Sequence, residues 1–182
     1  MTEKKPIKLW DKYFECYITQ QQIQSRVAEL AMQIENDYKG RRPMFIAILN
    51  GSFMFAADLL RHIQISCEIN FVKLSSYKDT ESTGKVERLL GLNSDLFGRH
   101  IILLEDIVET GLTLSVVFED LYNKEPISIR SASLLYKPNK NKFATQPDYV
   151  GFEIPESFVV GYGLDYNGLG RNLPDIYKVK QH

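Results

Sequence analysis

Five side chains within one short stretch are best suited to chemistry, those of Glu105, Asp106, Glu109, Thr110 and Thr113, with Gly111 and Leu112 offering main-chain N–H groups between them. Glu105 and Asp106 directly follow the apolar run Ile101-Ile102-Leu103-Leu104, where an ionised carboxylate is costly unless it has a partner or a task. Adjacent acids at such a place can accept hydrogen bonds from vicinal hydroxyls or meet the waters of a metal ion. The segment Glu109-Thr110-Gly111-Leu112-Thr113 then brings backbone N–H groups and two hydroxyls to the start of a helical pattern. Unpaired amides and the helix dipole make that an anion site, and Gly111 lets the main chain approach a phosphate closely. Acids for a sugar followed by an anion cradle imply a ribose 5-phosphate.

The surrounding pattern supplies elements to position these groups. Ile101–Leu104 reads as a strand buried on both faces, ended abruptly by the acid pair. Leu114, Val117, Phe118 and Leu121 predict a helix over about 112–122. Upstream, Thr19 with Gln22 three residues on is a capping box, and Ile23, Val27, Leu30, Ala31 and Ile34 line one helical face. Met44–Leu49 is a short buried strand ending in Asn50-Gly51-Ser52, and Phe53–Ile63 returns to helix. Glu68–Tyr77 alternates, Lys78–Lys85 is a polar and mobile loop, and Glu87–Leu92 is a short strand. Ile127–Tyr136 is a further strand leading to Lys137 and a polar loop. Tyr149–Phe152 and Phe158–Tyr162 are short strands, and residues 1–12 are charged and loosely held. Strands alternating with helices give an α/β fold with a mainly parallel central sheet flanked by helices. The loops at 50–52, 105–113 and 137 all follow strands, so they share the carboxyl edge, where such sheets bind ligands.

The bulk properties exclude several classes. A chain of 182 residues with 44% hydrophobic and 25% charged residues is one ordinary globular domain. A net charge of −1 offers no basic footprint for nucleic acid, and no apolar run approaches the roughly 20 residues of a membrane span. The N-terminal residues lack the apolar core of a secretory signal, and Cys16 and Cys67 form no CxxC pair, so a cytoplasmic protein is expected. Asn50-Gly51-Ser52 matches a glycosylation acceptor but reads as a turn. Gly161-x-Gly163 lacks the third glycine of a dinucleotide fingerprint, and His62, His100 and His182 stand isolated.

Leu104-Glu105-Asp106-Ile107-Val108-Glu109-Thr110-Gly111-Leu112-Thr113 resembles the phosphoribosyl-diphosphate (PRPP) signature of the type I phosphoribosyltransferases. Four further segments are similar to the hypoxanthine (6-oxopurine) branch of that family. They are Leu49–Ser52, Ser75-Ser76-Tyr77 with Ser82-Thr83-Gly84, Ser133–Lys137, and Val150–Pro155 continuing through Phe158–Asn167 to Arg171. The resemblance covers about residues 13–178 and implies the type I phosphoribosyltransferase fold. With it come a catalytic loop at 76–88 and a small hood, built from N- and C-terminal segments, with the purine site in 150–173.

The resemblance also implies roles. Glu105 and Asp106 would face the ribose hydroxyls and Mg²⁺, with Asp165 a further metal ligand. Thr110, Gly111, Leu112 and Thr113 would hold the 5-phosphate, while Asn50, Gly51 and Arg171 would meet diphosphate. Ser76 and Tyr77 would close over the site. Lys137 would donate to the purine O6, Phe158 would stack on the base, and Val159 and Asp165 would lie at its pyrimidine edge. Two positions depart from the family. Asn50 stands where Lys is usual, and a non-proline cis peptide is expected at Asn50–Gly51. Glu109 stands where the proton acceptor is typically Asp; the carboxylate and its intrinsic pKa are nearly kept, about 4.3 against 3.9, but the side chain is one methylene longer.

The expected activity is Mg²⁺-dependent transfer of 5-phosphoribosyl from PRPP to hypoxanthine or guanine, giving a purine nucleoside monophosphate and diphosphate. No nucleic-acid or membrane partner is expected. The resemblance implies a homodimer or homotetramer, with Phe53, Met54 and Phe55 as interface candidates. Two other readings stand beside this one: a nucleotide-sensing regulator on the same fold, which calls for a basic face, and a transferase preferring xanthine or guanine.

Overall fold

The computed structural model describes residues 4–76, 86–90, 95–143 and 145–180. Tyr77 and the loop expected at 78–85 lie outside the described residues, as does His182. In chain order the elements are β1 (Ile7–Leu9), β2 (Lys12–Ile18), α1 (Gln20–Asp37), β3 (Met44–Leu49), α2 (Phe53–His62), β4 (Glu68–Ser76), β5 (Val86–Leu90), β6 (His100–Val108), α3 (Leu112–Tyr122), β7 (Ser128–Tyr136), β8 (Tyr149–Glu153), β9 (Val159–Val160) and β10 (Ile176–Val179).

The main sheet runs β5-β4-β3-β6-β7-β8. Its last five strands are mutually parallel and β5 is antiparallel to β4. Alternation along β3 and β6 divides the core between the two faces of this sheet. Phe45, Ala47, Ile102 and Leu104 pack with α1 and α2, while Met44, Ile46, Ile101 and Leu103 pack with Leu114, Val117 and Leu121 of α3. Helix α1 begins at the capping box: Gln22 N–H donates to Thr19 Oγ1 at 3.3 Å, and Thr19 N–H donates to Gln22 Oε1 at 2.9 Å. Among the described residues no helix is long and apolar enough to cross a membrane.

A second, four-stranded antiparallel sheet, β1-β2-β10-β9, forms the hood from both ends of the chain. Residues 7–9, expected to be loosely held, are instead an edge strand whose Ile7 and Leu9 pack near Phe14, Val160 and Tyr177. The hood is pinned to α1 through buried Asp175, which accepts from Gln20 N–H at 2.8 Å and from Lys4 Nζ at 2.6 Å. Residues 150–153, expected in the hood, belong to the main sheet as β8, parallel to β7. Of the interface candidates, Phe55 is fully buried in this chain's own core, whereas Phe53 is exposed.

His100 sets Nδ1 2.8 Å from Ser128 Oγ and meets the Tyr38 ring edge-on. Cys16 and Cys67 are both free thiols.

Candidate active site

Strand β6 does not stop at the acid pair. It continues to Val108 because its ladder with β7 persists: Glu105 pairs with Ser133, Ile107 with Leu135 and Val108 with Tyr136. The acids therefore ride on rigid sheet rather than on a turn. Glu105 is 8% exposed, and among the described residues its Oε2 has no hydrogen-bond partner. Burial first, and the neighbouring Asp106 second, push its carboxyl well above the usual range. Asp106 is likewise raised, to about 6, mainly by burial, although its Oδ1 accepts the Ile107 N–H at 3.0 Å.

Past Val108 the chain forms the cradle. Gly111 takes φ 83° as the N-cap of α3, which has no side-chain cap, so the first-turn amides beyond Leu112 are left for another acceptor. Thr110 Oγ1 accepts the Leu112 N–H at 3.3 Å. The Thr110 carbonyl is held from outside by Lys142 N–H at 2.9 Å and Phe143 N–H at 3.2 Å. A cavity of about 220 Å³ runs from Glu105 and Ile107 past Glu109 to Thr110, Gly111 and Thr113. All the residues expected on the ribose 5-phosphate except Asp106 and Leu112 line this one space.

Glu109 and Lys137, from different strand ends, meet as an ion pair through Glu109 Oε1. Lys140 Nζ reaches Glu109 Oε2 at 2.7 Å. Burial works against ionisation of Glu109, but the bonds from Lys137 and Lys140 outweigh it and hold the carboxyl below its usual range. Lys137 is almost wholly buried, with its main-chain N–H on the Val108 carbonyl at 2.9 Å.

The second corner joins three segments at main-chain distance. A Cβ on Gly51 would fall 1.5 Å from Asp106 Oδ2, and a Cβ on Gly163 would fall 2.0 Å from the Gly51 carbonyl oxygen. Arg171 donates to the Gly163 carbonyl at 2.6 Å and pairs with Asp165 at 2.6 Å. So the turn after β3, the acids of β6 and the hood loop interlock, and the expected diphosphate residues Gly51 and Arg171 stand at that joint. Asn50 is exposed, and the cis bond is Leu49–Asn50, one residue before the expected Asn50–Gly51 step.

Other expected residues are less closely gathered. The ring contacts of Phe158 lie within the hood: it is 45% exposed, with Tyr166 and Phe14 centroids 5.6 and 6.3 Å away and Lys12 Nζ at 5.6 Å. The Val159 side chain is buried in the core, so main chain is what it offers a ligand. Ser76 ends β4, paired with Val86.

Sequence reasoning missed Lys140, Asn141 and Gly163. Lys140 and Asn141 follow from a 3-10 turn at Pro138–Lys140, and the signal was Pro138 with lysines three apart, a spacing that eclipses in such a turn. Asn141 Oδ1 fills the space where a side chain on Gly111 would collide, at 2.7 Å, while its Nδ2 donates to Tyr136 Oη at 3.1 Å.

A metal ion fits the donor set of the first corner. Glu105 and Asp106 offer hard carboxylate oxygens, of which Glu105 Oε2 has no partner among the described residues, held where burial disfavours their charge. Among the described residues no group of three or more His, Cys, Asp or Glu side chains is assembled to hold a metal alone. Mg²⁺ does not need such a cage, since it takes one or two carboxylates together with waters and substrate phosphates.

The family model for the phosphoribosyl transferase domain matches residues 17–167. The hypoxanthine-guanine phosphoribosyltransferase of Bacillus subtilis is 41% identical over 90% of this chain and 91% of its own length. The hypoxanthine phosphoribosyltransferase of Escherichia coli is 42% identical over 91% of this chain and 94% of its own length. A crystal structure of a hypoxanthine-guanine phosphoribosyltransferase from Bacillus anthracis superposes with a TM-score of 0.86 at 42% identity, covering 92% of this chain and 97% of that one. The chain belongs to the phosphoribosyltransferase family and has the type I fold.

Proposed function

We propose that this enzyme serves purine salvage, transferring the 5-phosphoribosyl group of PRPP to hypoxanthine or guanine with release of diphosphate. The observation that carries the reading is the meeting of Glu109 and Lys137 at the mouth of the phosphate cradle. A 6-oxopurine carries O6 and N7 side by side on one edge. Lys137, buried and positively charged, would donate to O6. Glu109, held ionised, would accept the N7 proton as the N9 lone pair bonds to the anomeric carbon of ribose. The bond from that carbon to diphosphate breaks as the new bond forms, and diphosphate leaves with the electron pair. The 6-amino group of adenine cannot accept from Lys137, so adenine is rejected at the same contact.

Thr110, Gly111, Leu112 and Thr113 would orient the 5-phosphate, fixing the ribose over Glu105 and Asp106. Gly51 and Arg171 would receive diphosphate at the joint of the core and the hood. Glu105 and Asp106, with Asp165 on the hood, would hold Mg²⁺. When bound, Mg²⁺ would supply positive charge for the departing diphosphate. Asn50 offers an amide donor but no charge at this position, leaving Arg171 as the cation among the residues expected on diphosphate.

Glu109→Ala tests the assignment. Turnover with hypoxanthine should fall roughly 100- to 10,000-fold, the usual worth of a positioned base, while PRPP affinity measured by titration calorimetry is kept. Near-normal turnover in that variant would overturn the proton-acceptor role.

A further inference from the structure

We propose that Lys140 is a positioning residue for the proton acceptor: it anchors the second carboxylate oxygen of Glu109 so that Lys137 can turn to the purine without releasing the base. The inference rests on the role given to Glu109 above.

The geometry divides the carboxylate between two lysines. Lys137 takes Oε1 and Lys140 takes Oε2 at 2.7 Å. Both lysines are set by local chain geometry, because Pro138 opens a 3-10 turn in which Lys140 N–H donates to the Lys137 carbonyl at 3.1 Å. Residues three apart eclipse in such a turn, so both ammonium groups reach the same side. Their surroundings differ. The Lys137 side chain is 4% exposed and that of Lys140 39%. Lys137 is sequestered, whereas Lys140 approaches Glu109 from the solvent side.

Purine binding would ask Lys137 to serve O6, which weakens its bond to Glu109. A glutamate has one more side-chain torsion than an aspartate, so an unanchored Glu109 has more ways to leave the N7 direction. The bond to Lys140 removes that freedom and is untouched by the purine. Among the described residues, the charged groups acting on Glu109 are Lys137 at the end of β7 and Lys140 in the turn; Glu156, after β8, acts in turn on Lys140. Loss of Lys140 therefore leaves burial opposed by one lysine, and the acid limb of the rate profile moves to higher pH. As a part-exposed pair, Lys140–Glu109 contributes little to folding, so kinetics and stability separate.

The test measures kcat/KM for hypoxanthine against pH, at saturating PRPP, for the wild type, K140M, K140R, E109D, the K140M/E109D double variant and E109A. In K140M we expect a fall of roughly tenfold, in line with a sub-ångström misplacement, an acid limb displaced to higher pH, and an unchanged melting temperature. K140R should restore both. In the E109D background, where the shorter carboxylate cannot span both lysines, K140M should change little. An unmoved acid limb in K140M, or an equal loss in the E109D background, would overturn the role of Lys140 alone. Full activity in E109A would instead overturn the assignment of Glu109, and the role of Lys140 with it.

Discussion

Gly163→Ala is the sharpest perturbation of the joint between hood and core. The added Cβ would stand 2.0 Å from the Gly51 carbonyl oxygen, where contacts under 3.0 Å are essentially never tolerated. That oxygen is main chain, so no rotamer relieves the clash; the turn after β3 and the hood loop must part. A displacement on the order of 1 Å at a substrate-positioning group can cost about 100-fold in rate. A second cost is conformational, because Gly163 has φ 98° and an L-residue there loses about 1–2 kcal/mol. Gly40→Ala separates the two effects. Gly40 also has positive φ, at 73°, but among the described residues nothing beyond its chain neighbours lies within 4 Å of its added Cβ. Both variants should lose stability by thermal denaturation, but only Gly163→Ala should lose kcat/KM for PRPP, by on the order of 100-fold. A Gly163→Ala enzyme that keeps the wild-type kcat/KM for PRPP would refute the argument that the hood loop fixes the diphosphate turn. An equal kinetic loss in Gly40→Ala would trace the effect to stability.

Lys137→Met should lower kcat/KM for hypoxanthine roughly 10- to 100-fold, the worth of one charge-assisted hydrogen bond, and narrow the gap to adenine; an unchanged base preference would argue against the O6 contact. Asp106 is raised from 3.8 to about 6 in the folded chain, so between those values the folded state binds more protons than the unfolded one. Its contribution to stability is then lost as pH rises through about 6, to an extent of about 3 kcal/mol. In divalent-free buffer Asp106→Asn should therefore melt higher than the wild type at pH 8, with the difference shrinking toward pH 4, and Mg²⁺ should raise the melting temperature of the wild type more at pH 8 than at pH 5. A pH-independent difference between the two proteins would contradict the burial argument. Thr19→Ala removes the Oγ1 that accepts the Gln22 N–H in the α1 capping box and should cost about 1 kcal/mol in chemical denaturation with kinetics intact.

What the sequence displayed and what it hid divide along local and non-local lines. The capping box at Thr19 and Gln22, the bounds of α3 and the buried run of β3 follow from spacing over a few residues, and each is found at the expected place. Strand β6 was cut short because an acid pair reads as a strand end. Its ladder with β7 carries it on, a pairing with a segment some 28 residues away that no local pattern records. Strands β1, β2 and β10 have no local signature either: the resemblance implies a hood from the N- and C-terminal segments, but only pairing between those segments makes strands of them. At the site, the phosphate cradle and the acids were legible from residue types. The salt bridges of Glu109 were not, because a distant Lys137 and a turn-borne Lys140 had to be brought to it. Phe158 and Val159 were expected at the base; Val159 is packed into the core, and Phe158 keeps its ring contacts within the hood.

One measurement tests the purine assignment most directly: diphosphate release and nucleotide formation from PRPP and Mg²⁺ with hypoxanthine, guanine, xanthine and adenine assayed in parallel. The placement of Lys137 beside Glu109 predicts nucleoside monophosphate from hypoxanthine or guanine and essentially none from adenine. Use of adenine equal to or better than that of hypoxanthine would contradict it.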